Sequence, residues 1–158
     1  MPQPNDSEAA VHAQLILADF AQVTDGKLTI VGGGWDRTGP KPSPSGIGLL
    51  LKVPWEETNR RHDVSLRLLD SDGAPVLDPK GNPIGMANHF EVGRPAGLAA
   101  GAHQTVCMAM NISPLPLTPG SRYEWVLSVD DRTREEWRAP FLVRSSPSPS
   151  GGSATRTT

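Results

Sequence analysis

Apolar side chains in this chain recur at every second position, in runs that turn residues cut before a helical period can form. Val64, Leu66 and Leu68 share one face of residues 62–70, HDVSLRLLD. Val106, Met108, Met110 and Ile112 do the same in 104–112, QTVCMAMNI. So do Tyr123, Trp125, Leu127 and Val129 in 122–130, RYEWVLSVD, and Ala139, Phe141 and Val143 in 137–144, WRAPFLVR. A period of two marks a strand with one buried face. Further strands are read at 13–20 (AQLILADF), 27–31 (KLTIV), 47–53 (IGLLLKV) and 86–92. No stretch keeps a 3.6-residue period beyond two turns. The best helical candidate, EAAVHAQL at 8–15, leads into the first strand, and single helical turns are expected near 55–60 or 96–100.

The punctuation says how these strands connect. Asp25-Gly26 closes the gap between 13–20 and 27–31, which is a hairpin signal. The Pro-rich stretch 39–46, GPKPSPSG, cannot be regular structure. A polar loop at 73–85, the loop GRPAGLAAGAH at 93–103 and the corner made by Pro114, Pro116 and Pro119 separate the later strands. Seven to eight strands with no helices to cover them must stack sheet on sheet. The expected fold is therefore all-β: a two-sheet antiparallel β-sandwich, immunoglobulin-like in style, with a closed barrel as the alternative. The segment PLTPGSRYEW resembles a tyrosine corner, with the Tyr123 hydroxyl bonding nearby backbone. Its 158 residues suit one domain. Residues 10–144 are read as the sandwich, between a flexible N-terminus at 1–9 and a disordered tail at 145–158, SSPSPSGGSATRTT, which lacks apolar side chains larger than alanine.

Charge and cysteine usage narrow the function classes. Fifteen basic and seventeen acidic side chains leave a formal charge of -2, which gives no general attraction to nucleic acid or anionic lipid. No apolar run reaches the length of a membrane span. The polar, acidic first residues do not form a signal peptide, so the expected compartment is the cytoplasm. A single cysteine, Cys107, excludes an intrachain disulfide.

The motifs that carry chemistry elsewhere fail here one by one. Gly32, Gly33 and Gly34 follow a strand, but a phosphate cradle also needs a helix behind the glycines, and Gly39-Pro40 leaves no room for one. Glycines in such a place mark a bulge or a close backbone approach. Trp35 is expected to pack across them or on a neighbouring strand, leaving Asp36 and Arg37 as an exposed pair and candidate contacts. Asp70, Asp72 and Gly73 start like a calcium loop, with Asp78 as a further oxygen, but the third acid and the closing Glu are missing. The histidines His12, His62, His89 and His103 lack zinc-ligand spacing and are read as surface residues beside strands. Cys107 reads as a small side chain within a strand, and no nucleophile elbow occurs. No catalytic residue, metal or cofactor is expected. Arg94, in the long loop 93–103, and Trp55, at a strand end beside mixed charges, complete the candidate binding set of Trp35, Asp36, Arg37, Trp55 and Arg94.

One combination of motifs is specific. The stretches LILADFAQVTDGKLTIVGGGWD, LLLKVPWEETNRRHDVSLRLLDSDG, FEVGRP and NISPLPLTPGSRYEWVLSVDD resemble a family of bacterial proteins without an established function, across about residues 14–144. The resemblance implies a small cytoplasmic β-rich domain and supplies no catalytic residues. The positions that match its motifs include Asp19, Gly33, Trp35, Asp36, Arg94, Pro95, Tyr123 and Trp125. Asp19, Gly32, Gly33, Gly34, Tyr123 and Trp125 are read as structural. The function expected from all this is non-enzymatic: a module that binds another protein or serves as a subunit of an assembly, with a homo-oligomer also open. The alternatives are a small-ligand or carbohydrate-binding domain that stacks its ligand on tryptophans, and a hydrolase using Asp36 or His89 with Asp19 close by.

Overall fold

The computed structural model describes residues 10–147. The expected flexible N-terminus at 1–9, and the expected tail from 148 onward, lie outside the described residues. Among the described residues the fold is all-β, with ten strands: β1 (His12–Ala18), β2 (Phe20–Thr24), β3 (Lys27–Val31), β4 (Arg37–Thr38), β5 (Ser45–Val53), β6 (Arg61–Asp70), β7 (Gly85–Glu91), β8 (Gln104–Ile112), β9 (Arg122–Val129) and β10 (Arg138–Val143). Single 3₁₀ turns at Trp55–Glu57 and Glu135–Trp137 are its only helical elements among the described residues, and no helix is long and apolar enough to cross a membrane.

These strands form three sheets, where two were expected. One is three-stranded, in the order β1-β5-β8; one is five-stranded, β4-β10-β9-β6-β7; the third is the hairpin β2-β3. All pairs are antiparallel except the short parallel contact of β4 with β10, where Arg37 and Thr38 lie beside Leu142 and Val143. A single core joins the two larger sheets. Ile47, Leu49, Leu51 and Val53 of β5 pack with Val64, Leu66 and Leu68 of β6, Trp125, Leu127 and Val129 of β9 and Phe141 and Val143 of β10.

The extra sheet arises where one run was read as one strand. The run 13–20 breaks at Asp19: β1 ends at Ala18 and β2 starts at Phe20. The Asp25-Gly26 hairpin is therefore built from 20–31, with both turn residues at positive φ (51° and 69°), the twist a two-residue hairpin requires. It folds over β5 and β8 and covers the face of the three-stranded sheet that points away from the core. On β5 that face is Gly46, Gly48 and Leu50, since Ile47, Leu49 and Leu51 point into the core. A Cβ at Gly48 would run into the Ile30 and Leu28 side chains, and one at Gly46 would come within 2.8 Å of the Ala21 nitrogen. On β8 the same face presents Asn111. Its side-chain amide accepts from the Ala21 N–H (3.1 Å) and donates to the Ala21 carbonyl (2.8 Å), replacing a missing strand partner along the outer edge of β2.

The glycine run is the passage from this hairpin to the five-stranded sheet. Gly32 has φ 62°, and a Cβ there would overlap the Asp19 carboxylate; Gly34, at φ 90°, donates its N–H to the Leu17 carbonyl (2.7 Å). Gly33 lies over Ile30 and Ile16 with no room for a side chain. The chain thus bends around the end of β1 and reaches β4 within a few residues. At the other corner the Tyr123 hydroxyl accepts a hydrogen bond from the Thr118 N–H at 2.9 Å.

Candidate functional site

Two clusters gather the candidate residues, at opposite ends of the strands. The first lies where β5 and β9 begin and β10 ends. There the Pro-rich segment 39–45 stands off the sheet edge and encloses an open cleft of about 330 Å³. Trp35, Phe141, Leu115 and Leu117 supply apolar lining, Pro40, Pro42 and Pro44 form one wall, and Asp19, Arg37, Lys41 and Arg144 bring charge. Trp35 is half-buried and meets Phe141 edge-on, with centroids 5.6 Å apart and planes at 88°. Phe141 in turn stacks on Tyr123. Trp35 therefore packs on β10, one of the two places expected for it. Asp36 and Arg37 form an exposed ion pair at 3.5 Å, a geometry that contributes little to stability. Trp125 also reaches the cleft but is buried in the core, which removes it as a stacking platform.

Exposed apolar side chains lie next to the cleft residues in the chain. Phe20 follows the lining residue Asp19 and Val31 precedes the lining residue Gly32; the two sit opposite each other on the hairpin strands and are 43% and 53% exposed. They are two of the few large apolar residues left in solvent.

The second cluster lies where β5 and β9 end and β6 begins. Arg94 is held there by its own chain: Nε donates to the Thr58 hydroxyl (2.6 Å), a terminal nitrogen donates to the Trp55 carbonyl (2.9 Å), and the guanidinium lies 4.1 Å over the Trp55 ring. Next to it is a group that the sequence reading missed. His62 is fully buried, contrary to its assignment to the surface. Its Nδ1 lies 2.7 Å from an Asp130 carboxylate oxygen, its Nε2 lies 2.7 Å from the Glu57 carbonyl, and its ring stacks on Phe90 at 5.0 Å. A carbonyl only accepts, so Nε2 donates to it, and Nδ1 is the nitrogen that faces the Asp130 carboxylate. Burial pushes the Asp130 carboxyl up, but the His62 hydrogen bond, the Asp63 N–H and the charges of His62 and Arg60 outweigh it and hold the group below its ordinary value.

Glu57, His62 and Asp130 bring one ligand atom each within 4.8 Å of the others, a spacing a metal ion could use. Both imidazole nitrogens are already engaged, however, and the Arg60 guanidinium reaches both carboxylates, at 3.3 and 3.5 Å. The two carboxylates are thus already met by side chains of the same cluster. The acidic loops are used up in a similar way. The Asp70 carboxylate accepts from the N–H groups of Asp72 and Ala74, and that of Asp78 from Lys80 and Asn82, so each closes its own turn. No histidine lines the cleft, so Asp19 and Arg37 meet no imidazole there.

The signal for His62 was present in the sequence: it stands two residues before Val64, on the inward face of the same alternation. Leu115, Leu117, Lys41 and Arg144 had none, because the cleft joins segments far apart in the chain.

Comparison with known proteins now adds the family. The model of the family of unknown function DUF6941 matches residues 13–144. The chain belongs to that family. No curated protein sequence matches it. Among solved structures, a Pseudomonas fluorescens alkylpurine DNA glycosylase, AlkC, bound to DNA containing an abasic site analog, is similar at 14% identity with a TM-score of 0.39. The similarity covers 84% of this chain and 30% of the glycosylase, and a likeness of that size does not establish a shared fold. The DUF6941 match spans both clusters, from β1 to the end of β10.

Proposed function

We propose that this DUF6941 domain is a non-enzymatic protein-binding module, a subunit or accessory of a larger assembly, and that it docks its partner at the cleft end. One observation carries the reading: a cleft that sets Trp35, Leu115 and Leu117 among charged side chains has the exposed Phe20–Val31 pair next to its lining residues Asp19 and Gly32 in the chain. Exposed apolar surface next to a concave, polar-rimmed site is the usual form of a protein contact. The Trp55–Arg94 end is less suited, since Arg94 directs its donors at its own backbone.

The test is isolation of the tagged chain from its host, identification of any stoichiometric partner, and reconstitution of the pair from purified components. Phe20→Ser with Val31→Ser is expected to abolish the complex, while Arg94→Ala, which alters only the other end, keeps it. Absence of a stoichiometric partner, or a complex indifferent to the Phe20 and Val31 changes, contradicts the reading. A second reading, a small-ligand site, is favoured by the cleft volume of about 330 Å³, which is in the range of such pockets. A thermal-shift screen that finds a ligand stabilising the wild type but not a Phe141→Ala variant would support it.

A further inference from the structure

Resting on the protein-docking reading above, we propose that the cleft takes an extended acidic segment of its partner, with carboxylates flanking an apolar anchor. The charge of the cleft opposes that of the chain as a whole. The full sequence has net charge -2, yet the lining holds Arg37, Lys41 and Arg144 against a single carboxylate, Asp19. That carboxylate lies against the glycine bend, at the place a Gly32 side chain would occupy. The three cations come from separate places, β4, the Pro-rich wall and the end of β10, and all are exposed. Among the described residues neither Lys41 nor Arg144 has an ion-pair partner, and Arg37 has only the weak, exposed Asp36.

The arrangement suits a peptide more than a compact anion. The cations share the cleft with the half-buried Trp35, Leu115 and Leu117, so a ligand that fits offers an apolar side chain to these and negative charge beside it. The wall containing Pro40, Pro42 and Pro44 has its φ angles fixed by the proline rings, so little ordering is lost when a chain lies along it.

The experiment is selection of random peptides of about twelve residues, displayed on phage, against the full chain, followed by affinity measurement on synthetic peptides. Enriched peptides are expected to carry Asp or Glu around an aromatic or leucine residue. Combined Arg37→Glu, Lys41→Glu and Arg144→Glu changes should weaken them by at least about tenfold, and higher salt should weaken them further. The same peptides with Lys in place of each acid should bind the charge-reversed variant better than the wild type, a gain that misfolding cannot imitate. Enriched peptides without acidic bias, lost in the Phe20→Ser, Val31→Ser variant, overturn this inference and leave the docking reading standing. No enrichment overturns both. A single-stranded oligonucleotide that displaces the peptides and binds more tightly than they do overturns it in favour of a nucleic-acid ligand.

Discussion

At the scale of single residues, Asp130 shows how a strained position can be kept for what its side chain holds. It has φ 51°, and Asp131 follows at 61°, in a two-residue turn between Val129 and Arg132 where glycine or asparagine would be easier. Its carboxylate binds the buried His62 and the Asp63 N–H (2.9 Å) together. Asp130→Ala relieves no φ strain and leaves His62 Nδ1 unpaired in the core, so a loss of about 1–3 kcal/mol is expected in urea denaturation at pH 7. The pH dependence has a definite sign. A carboxyl lowered on folding stabilises the native state above its unfolded value and ceases to do so as pH falls through the folded one. The part of the gap between wild type and Asp130→Ala that the ionised carboxylate supplies should shrink as pH falls below about 4. A gap that keeps widening below about pH 4 would contradict the assignment. The sequence reading ran this strand through Asp130, one residue into the turn, and gave no sign of the pairing with His62, 68 residues away, because that depends on the β6–β9 register.

At the scale of elements, the hairpin β2-β3 is attached as a third layer, and its attachment depends on small residues beneath it. Gly46→Ala would drive a Cβ into the backbone of Phe20 and Ala21, whereas Gly48→Ala meets only the movable ends of Ile30 and Leu28. The first is expected to cost about 1–3 kcal/mol and the second clearly less, measured by denaturation. Asn111→Ala removes both bonds to Ala21 and should speed hydrogen exchange at the Ala21 N–H while the amides of β6 and β9 keep their protection. Equal loss of protection in all three strands would show that the hairpin is not a separate layer. Most strands were readable because one face is buried and alternation survives. The third layer was signalled by β5, whose residues 47–51, IGLLL, run without a polar side chain since both faces are covered there. Read simply as a strand, that run does not by itself announce a third sheet. The break at Asp19 escaped notice because 13–20 is apolar on either side of it.

At the scale of the whole molecule, the edges favour docking at the cleft over strand addition along β10. The N–H groups of Leu142 and Arg144 bond β4, so the matching donor earlier on that edge would be that of residue 140, where proline has none. The proposed partner surface is the cleft with its three cations, built from β1–β2, β4, the Pro-rich wall, the Leu115–Leu117 corner and β10. Trp35, Asp36 and Arg37 were identifiable as candidates by residue type beside a glycine bend. The cleft that Trp35 and Arg37 line was not, since it exists only once β4 crosses to β10. The most direct measurement is amide chemical-shift mapping of the labelled full chain, titrated with a selected acidic peptide. The account predicts saturable shifts at Trp35, Thr38, Lys41, Val143 and Arg144, and little change at Trp55, His62 and Arg94. Shifts confined to that second group, with the cleft amides unmoved, would contradict it.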